Sequence, residues 1–204
     1  MSMKIAMFGG GFNPIHTGHI MLVKAFAEAL QLDKVLLVPP YITPHKHKQQ
    51  DNSASLEQKM EMCRLAVKDI PFAEVSDIEI KRQGTSYTYM TLEKLSEVYP
   101  DSELFLITGA DNFMTIHKWK HPEIIFSLAT ICGVPRNNDD MSDLQRQADY
   151  LHTLGAKTYI INADIMTVSS TEIRNNILQG KSISGMVTPE VEKYILENGL
   201  YKEG

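Results

Sequence analysis

Short apolar runs alternate with amphipathic, helix-spaced segments along most of this chain, and that alternation limits the fold more than any other feature. Residues 4–8 read as a buried strand, which runs into Gly9, Gly10 and Gly11 before a helical pattern over 18–30. Residues 34–38 form the next apolar run, ended by Pro39 and Pro40. Residues 56–68 are spaced as a helix, with Met60, Cys63, Ala66 and Val67 on one face and Ser55 with Gln58 as a capping box. Residues 74–80 alternate like a strand, and 87–99 place Met90, Leu92, Leu95 and Val98 at helical spacing. Residues 103–108, 128–134 and 157–161 read as strands, with a helix over 142–154 between the last two. Strands joined by helices imply right-handed crossovers and a mostly parallel sheet covered on both faces. The expected fold is therefore α/β, a Rossmann-like three-layer αβα sandwich in which ligands meet the carboxyl ends of the strands. One domain is expected over 1–204, with its last part, about 165–204, helical.

Composition excludes several classes. A net charge of −5 gives no overall basic footprint, so no nucleic-acid partner is expected. The longest apolar stretch, 124–134, contains Ser127 and Thr130 and falls short of the roughly 20 residues that span a bilayer, so no membrane partner is expected. The first residues lack a signal-peptide pattern, and Cys63 and Cys132 are too few for a disulfide framework. A cytoplasmic location is the expectation, and a homo-oligomer is compatible with it. The polar stretch 41–55 is expected to be a mobile loop.

The chemistry concentrates after the first strand, in Phe8-Gly9-Gly10-Gly11-Phe12-Asn13-Pro14-Ile15-His16-Thr17-Gly18-His19. Glycines at a strand end beside a helix N-terminus offer backbone N–H groups to an anion. A dinucleotide fingerprint fails, because Pro14 stands where its last glycine is due, and the Gly-Lys-Ser/Thr of a P-loop is absent. What remains is His16-x-Gly18-His19, two imidazoles on one side of a first helical turn. They can donate to phosphate oxygens and stabilise charge that builds during phosphoryl or nucleotidyl transfer. A zinc pair is the rival reading, but no nearby Cys or Glu completes a site. A second helix opens at Val168-Ser169-Ser170-Thr171-Glu172-Ile173-Arg174, where Ser169 and Glu172 have capping-box spacing and Arg174 adds a fork of donors. Alone that string reads as a plain cap.

Together these strings resemble the nucleotidyltransferase superfamily that shares the His-x-Gly-His motif. Residues 3 to about 202 resemble its bacterial nicotinate-nucleotide adenylyltransferase family. The usual family loop is Gly-Gly-Thr/Ser-Phe-Asp-Pro, and this chain has Gly11 and Asn13 at the variable places. The resemblance implies catalytic His16 and His19, and an ATP site of Gly9, Gly10, Gly11, Phe12, Asn13, His16, His19, Lys46, Ser169, Ser170, Thr171 and Arg174. It implies a mononucleotide site of His45, Thr88, Asp111, Trp119 and Arg136, with Thr88 near the pyridine carboxylate and Trp119 stacked on the ring. Many members carry Asp two residues after the Thr88 position, whereas this chain has Met90, which is assigned to packing. The implied reaction joins ATP and nicotinate mononucleotide into deamido-NAD and pyrophosphate. Mg²⁺ would bridge the phosphates, with no protein side chain as metal ligand. Three alternatives stand beside it: a nicotinamide-mononucleotide adenylyltransferase, which Asn13 keeps open; a pantetheine-phosphate adenylyltransferase, which shares both phosphate motifs; and a non-catalytic nucleotide-sensing module.

Overall fold

Among the described residues, six strands pair in parallel in one sheet, in the order β3-β2-β1-β4-β5-β6. They are β1 (Lys4–Gly9), β2 (Lys34–Val38), β3 (Ala73–Val75), β4 (Glu103–Ile107), β5 (Ala129–Gly133) and β6 (Lys157–Ile160). The structure, a computed structural model, describes residues 2–43, 53–135, 141–163 and 165–202. β1 lies between β2 and β4, so the winding reverses there and a crevice opens beyond the carboxyl ends of β1 and β4.

Alternation along β1 builds the two outer layers. Ala6 and Phe8 point into a core shared with α1 (Thr17–Leu30), α2 (Leu56–Val67), α8 (Ser170–Leu178) and α9 (Pro189–Glu197). Ile5 and Met7 point into a second core with α4 (Thr88–Val98), α5 (Ala110–Thr115), α6 (Pro122–Leu128) and α7 (Met141–Thr153). Phe26 and Phe113 are fully buried, and truncating either to alanine costs about 3–5 kcal/mol. α2 begins at Ser55, whose side chain and that of Gln58 cap each other's backbone N–H. The C-terminal α8 and α9 therefore share a core with the first strand rather than standing apart.

Two expectations change. The stretch 74–80 does not run on as a strand. β3 pairs with β2 only from Ala73 to Val75, after which Asp77 starts the short helix α3 (Ile78–Arg82). An alternating pattern only seven residues long can pass into a short helix as readily as it can run on as an edge strand. In α4, the buried face is Thr91, Leu92 and Leu95, while Val98 is exposed. A polar contact of Thr91, described below, turns that face. α5, the 3-10 turn Ile116–Lys118, α6 and α9 were not foreseen as separate elements. Most of the polar stretch 41–55, namely 44–52, lies outside the described residues. Among the described residues, no helix is long and apolar enough to cross a membrane.

Candidate active site

α1 starts where two histidines cap one another. His16 has extended backbone angles as N-cap, and its Nδ1 accepts the His19 N–H at 3.4 Å. His19 Nδ1 accepts the His16 N–H at 3.2 Å. Ser and Glu usually fill this reciprocal pattern. The rings stack with centroids 3.5 Å apart and an interplanar angle of 22°. Because each Nδ1 acts as acceptor, each neutral ring carries its proton on Nε2. Burial pushes the His16 pKa down to about 4. Burial, and secondarily the neighbouring His16, holds His19 well below the usual histidine range. At neutral pH the pair is thus two uncharged N–H donors at the positive end of a helix.

The backbone around the pair is tightly spaced. A Cβ on Gly18 would come within 2.8 Å of the Met166 carbonyl oxygen and 3.2 Å of His16 Nδ1. Glycine here lets the segment before α8 close over the histidines. Phe12 adopts a φ of 41°, and its ring, 2% exposed, meets Phe8 and His19 edge-on. A left-handed non-glycine residue stores about 1–3 kcal/mol, held here by that packing. A Cβ on Gly11 would meet nothing within 4 Å.

Two cavities meet at Asn112, which borders both. The first, about 510 Å³, lies between His16, His19, the start of α5 and the Ile165–Ser169 segment. The second, about 550 Å³, lies between Gly9–Gly11, Ser86–Thr88 and Trp119. A wider, open depression near Asp33 and Phe72 sits at the opposite ends of the strands, away from the crevice.

The sequence-expected residues distribute across these cavities as follows. His16, His19 and Ser169 border the first, and so does Asp111, which was expected with the mononucleotide. Gly9, Gly10 and Gly11, expected on ATP, border the second together with Thr88 and Trp119. Phe12 is buried in the core, so only its backbone is available to a ligand. Asn13 turns its side chain inward, to Ser53, Ala54 and Tyr201. Ser169 caps α8 by accepting the Glu172 N–H at 3.1 Å; the reciprocal half of the expected capping box is not formed. Ser170 Oγ donates to the Pro14 carbonyl, and Arg174 donates to the Asn13 carbonyl and to Thr171 Oγ1. His45, Lys46 and Arg136 lie outside the described residues.

Several residues at the second cavity were missed. Glu79 is 4% exposed and borders it. Thr91 Oγ1 donates to Glu79 Oε1 at 2.6 Å and accepts from Arg82 Nη1 at 3.2 Å, which is what turns the buried face of α4. Arg82 Nε and Nη2 are buried with no hydrogen-bond partner among the described residues. Lys118 and Lys120 flank Trp119 at the rim, with Lys120 Nζ 4.5 Å from the Tyr87 ring centroid. In sequence Glu79 is one of three acids in the 74–80 alternation, beside Glu74 and Asp77, and nothing local marks it as the buried one. The cysteines are inert packing: burial pushes both thiols far up. Among the described residues, no three His, Cys, Asp or Glu side chains are grouped to hold a metal.

The profile of the cytidylyltransferase-like family matches residues 7–176. A Flavobacterium johnsoniae protein named "Probable nicotinate-nucleotide adenylyltransferase" is 38% identical over 202 residues, covering 98% of this chain and 100% of the relative. One of the same name from Caldicellulosiruptor saccharolyticus is 39% identical over 202 residues, with the same coverage. The Plasmodium falciparum nicotinic acid mononucleotide adenylyltransferase solved with NaAD superposes with a TM-score of 0.78 over 98% of this chain and 97% of its own, at 17% identity, a likeness of fold. With the histidine pair, the glycine loop and the second helix start gathered at one crevice, these matches show that the chain belongs to the nicotinate-nucleotide adenylyltransferase family, within the cytidylyltransferase-like proteins.

Proposed function

We propose that the protein transfers the adenylyl group of ATP to nicotinate mononucleotide, giving deamido-NAD and pyrophosphate in NAD biosynthesis. The observation that carries this reading is the stacked, neutral His16–His19 pair lining the first of two cavities that adjoin at Asn112, the first reaching the start of α8 and the second Trp119. A phosphate monoester is already a nucleophile, so no general base and no covalent enzyme intermediate are needed. Catalysis then consists of holding the mononucleotide phosphate in line with the α-phosphorus and the departing pyrophosphate, and neutralising the charge on the α-phosphoryl and leaving oxygens.

In this reading the triphosphate lies along the first cavity. Nε2–H of His16 and of His19 donates to its oxygens, and the α8 N-terminus with Ser169, Ser170, Thr171 and Arg174 faces the departing pyrophosphate. Arg174 and Ser170 hold loop carbonyls in the unliganded protein, so engaging phosphate means exchanging or sharing those bonds. The mononucleotide lies in the second cavity, with its ring on Trp119 and its carboxylate toward Thr88 at the start of α4. His45, Lys46 and Arg136 are assigned to the phosphates on family pattern alone. Asp111 borders the histidine cavity and is placed at the seam between the two substrates. Mg²⁺ would travel on the triphosphate and supply charge neutralisation there, keeping mostly water ligands. We read residues 1–204 as one cytoplasmic catalytic domain acting on small molecules.

Steady-state pyrophosphate release with Mg²⁺–ATP and each of nicotinate mononucleotide, nicotinamide mononucleotide and pantetheine phosphate tests this. Turnover with nicotinate mononucleotide is the expected result. Turnover with pantetheine phosphate alone, or ATP binding with no turnover, overturns it.

A further inference from the structure

Tyr201 lies 188 residues from Asn13 in sequence, yet its Oη donates to Asn13 Oδ1 at 3.0 Å. Its ring is 3% exposed, and its backbone sits at a φ of 63° in the turn after α9. Burial pushes its pKa upward, so the hydroxyl stays protonated and able to donate across working pH. Asn13 Oδ1 also accepts the Ala54 N–H at 3.1 Å, and Nδ2 donates to Ser53 Oγ at 3.0 Å. The Asn13 carbonyl takes Arg174 Nη1 at 2.7 Å, and the next carbonyl, that of Pro14, takes Ser170 Oγ at 2.8 Å. Three distant parts of the chain thus converge on one residue: the entry to α2, α8 through Arg174, and the C-terminal turn. That residue lies between the glycines that border the second cavity and the histidines that border the first.

We infer that Tyr201 is a positioning residue for adenylyl transfer, its hydroxyl fixing through Asn13 the glycine loop against which the two substrates must align. The inference rests on the function proposed above. The loop needs outside support, because Phe12 holds a left-handed backbone and a Cβ at Gly10 would sit only 2.9 Å from its ring. A side chain anchored on both its oxygen and its nitrogen determines where Asn13 sits. It thereby determines which way the Gly9–Gly11 N–H groups point. Alignment of reacting groups is where small displacements cost rate. The plain alternative is a staple that stabilises the fold and does nothing else.

Tyr201→Phe removes the hydroxyl and keeps the buried ring. The expected result is a kcat lower by about fivefold or more, the equivalent of one hydrogen bond. The mononucleotide KM should stay within about twofold, and backbone amide exchange over residues 9–13 should quicken in the substrate-free protein. Asn13→Asp should retain turnover, since a carboxylate accepts from Ala54 N–H, Tyr201 O–H and Ser53 O–H alike. Asn13→Ala should lose turnover, and adding Tyr201→Phe to it should cost nothing more. Tyr201→Phe with wild-type kcat overturns the inference, whatever its Tm, and so does full additivity of the two changes. If the wild-type protein does not turn over nicotinate mononucleotide, the functional reading fails on its own. Exchange over 9–13 then decides the tether, with unchanged rates counting against it.

Discussion

His16 and His19 each accept the other's backbone N–H through Nδ1 while their rings stack at 3.5 Å, so one small cap sets the tautomer of both. The cap does two jobs. It satisfies free N–H groups at the start of α1, and it leaves two Nε2–H donors as the ring nitrogens outside the cap. Nitrogen-detected NMR of the substrate-free protein at pH 6.5 should show both rings neutral in the Nε2–H form. A charged ring, or an Nδ1–H tautomer, in either residue would contradict the cap.

Replacing either ring should hurt chemistry more than binding. Losing one transition-state donor costs about 2.7–4 kcal/mol, so His16→Ala and His19→Ala should each lower kcat about 10²–10³-fold, with ATP affinity less affected. The lost cap should also lower stability by about 0.5–2 kcal/mol. Single-turnover rates beside equilibrium ATP binding separate the two effects, and near-normal turnover in both variants would remove the pair from the chemistry.

Stability should fall on mild acidification, through His16. Its folded pKa of about 4 lies below the unfolded value near 6.5. Above pH 6.5 neither state binds the proton, and the fold keeps its full stability. As the pH drops from 6.5 toward 4, the unfolded chain takes up a proton that the folded chain refuses, so stability declines; below about 4 this contribution levels off. The loss is on the order of 3 kcal/mol for His16 alone. Urea unfolding of the wild type and of His16→Gln between pH 7 and 4 should show a shallower decline in the variant. Parallel curves would refute the assignment.

Two glycines should respond oppositely. Gly18→Ala places a methyl 2.8 Å from the Met166 carbonyl oxygen, a backbone atom that cannot swing aside. Overpacking of this kind costs about 1–3 kcal/mol. It should also displace the segment over the histidines and weaken ATP binding. Gly11→Ser faces open space and should leave Tm nearly unchanged. Equal Tm shifts in the two variants would mean the close approach at Gly18 is absent.

The ring cavity should prefer the acid. A helix N-terminus at Thr88 favours a carboxylate, and donors mispaired by an amide cost roughly 1–3 kcal/mol. Nicotinate mononucleotide should therefore exceed nicotinamide mononucleotide by about tenfold or more in kcat/KM. Trp119→Ala should lower both values by a similar factor, because stacking ignores the substituent. Equal efficiency of the two mononucleotides in the wild type would overturn the acid preference and leave adenylyl transfer standing.

The sequence by itself determined whatever depends on near neighbours in the chain. The strands β1, β2, β4, β5 and β6, the helices α1, α2, α4 and α7, the Ser55–Gln58 capping box and the His16-x-Gly18-His19 turn follow from periodicity and short spacing, and the structure contains each. The parallel sheet followed too, because a short helix between two strands permits little else. Tertiary structure alone decided which distant groups meet. Nothing in the local pattern distinguished an Asn13 that touches nucleotide from one that ties Ser53, Ala54 and Tyr201 together. The same holds for Asp111, which borders the histidine cavity rather than the Trp119 cavity, and for the buried face of α4, turned toward Thr91 by Glu79 and Arg82. The physical reason is common to all three: a polar side chain's partner is chosen by the packing that brings it within 3 Å, whereas sequence periodicity encodes only which face of an element leaves water.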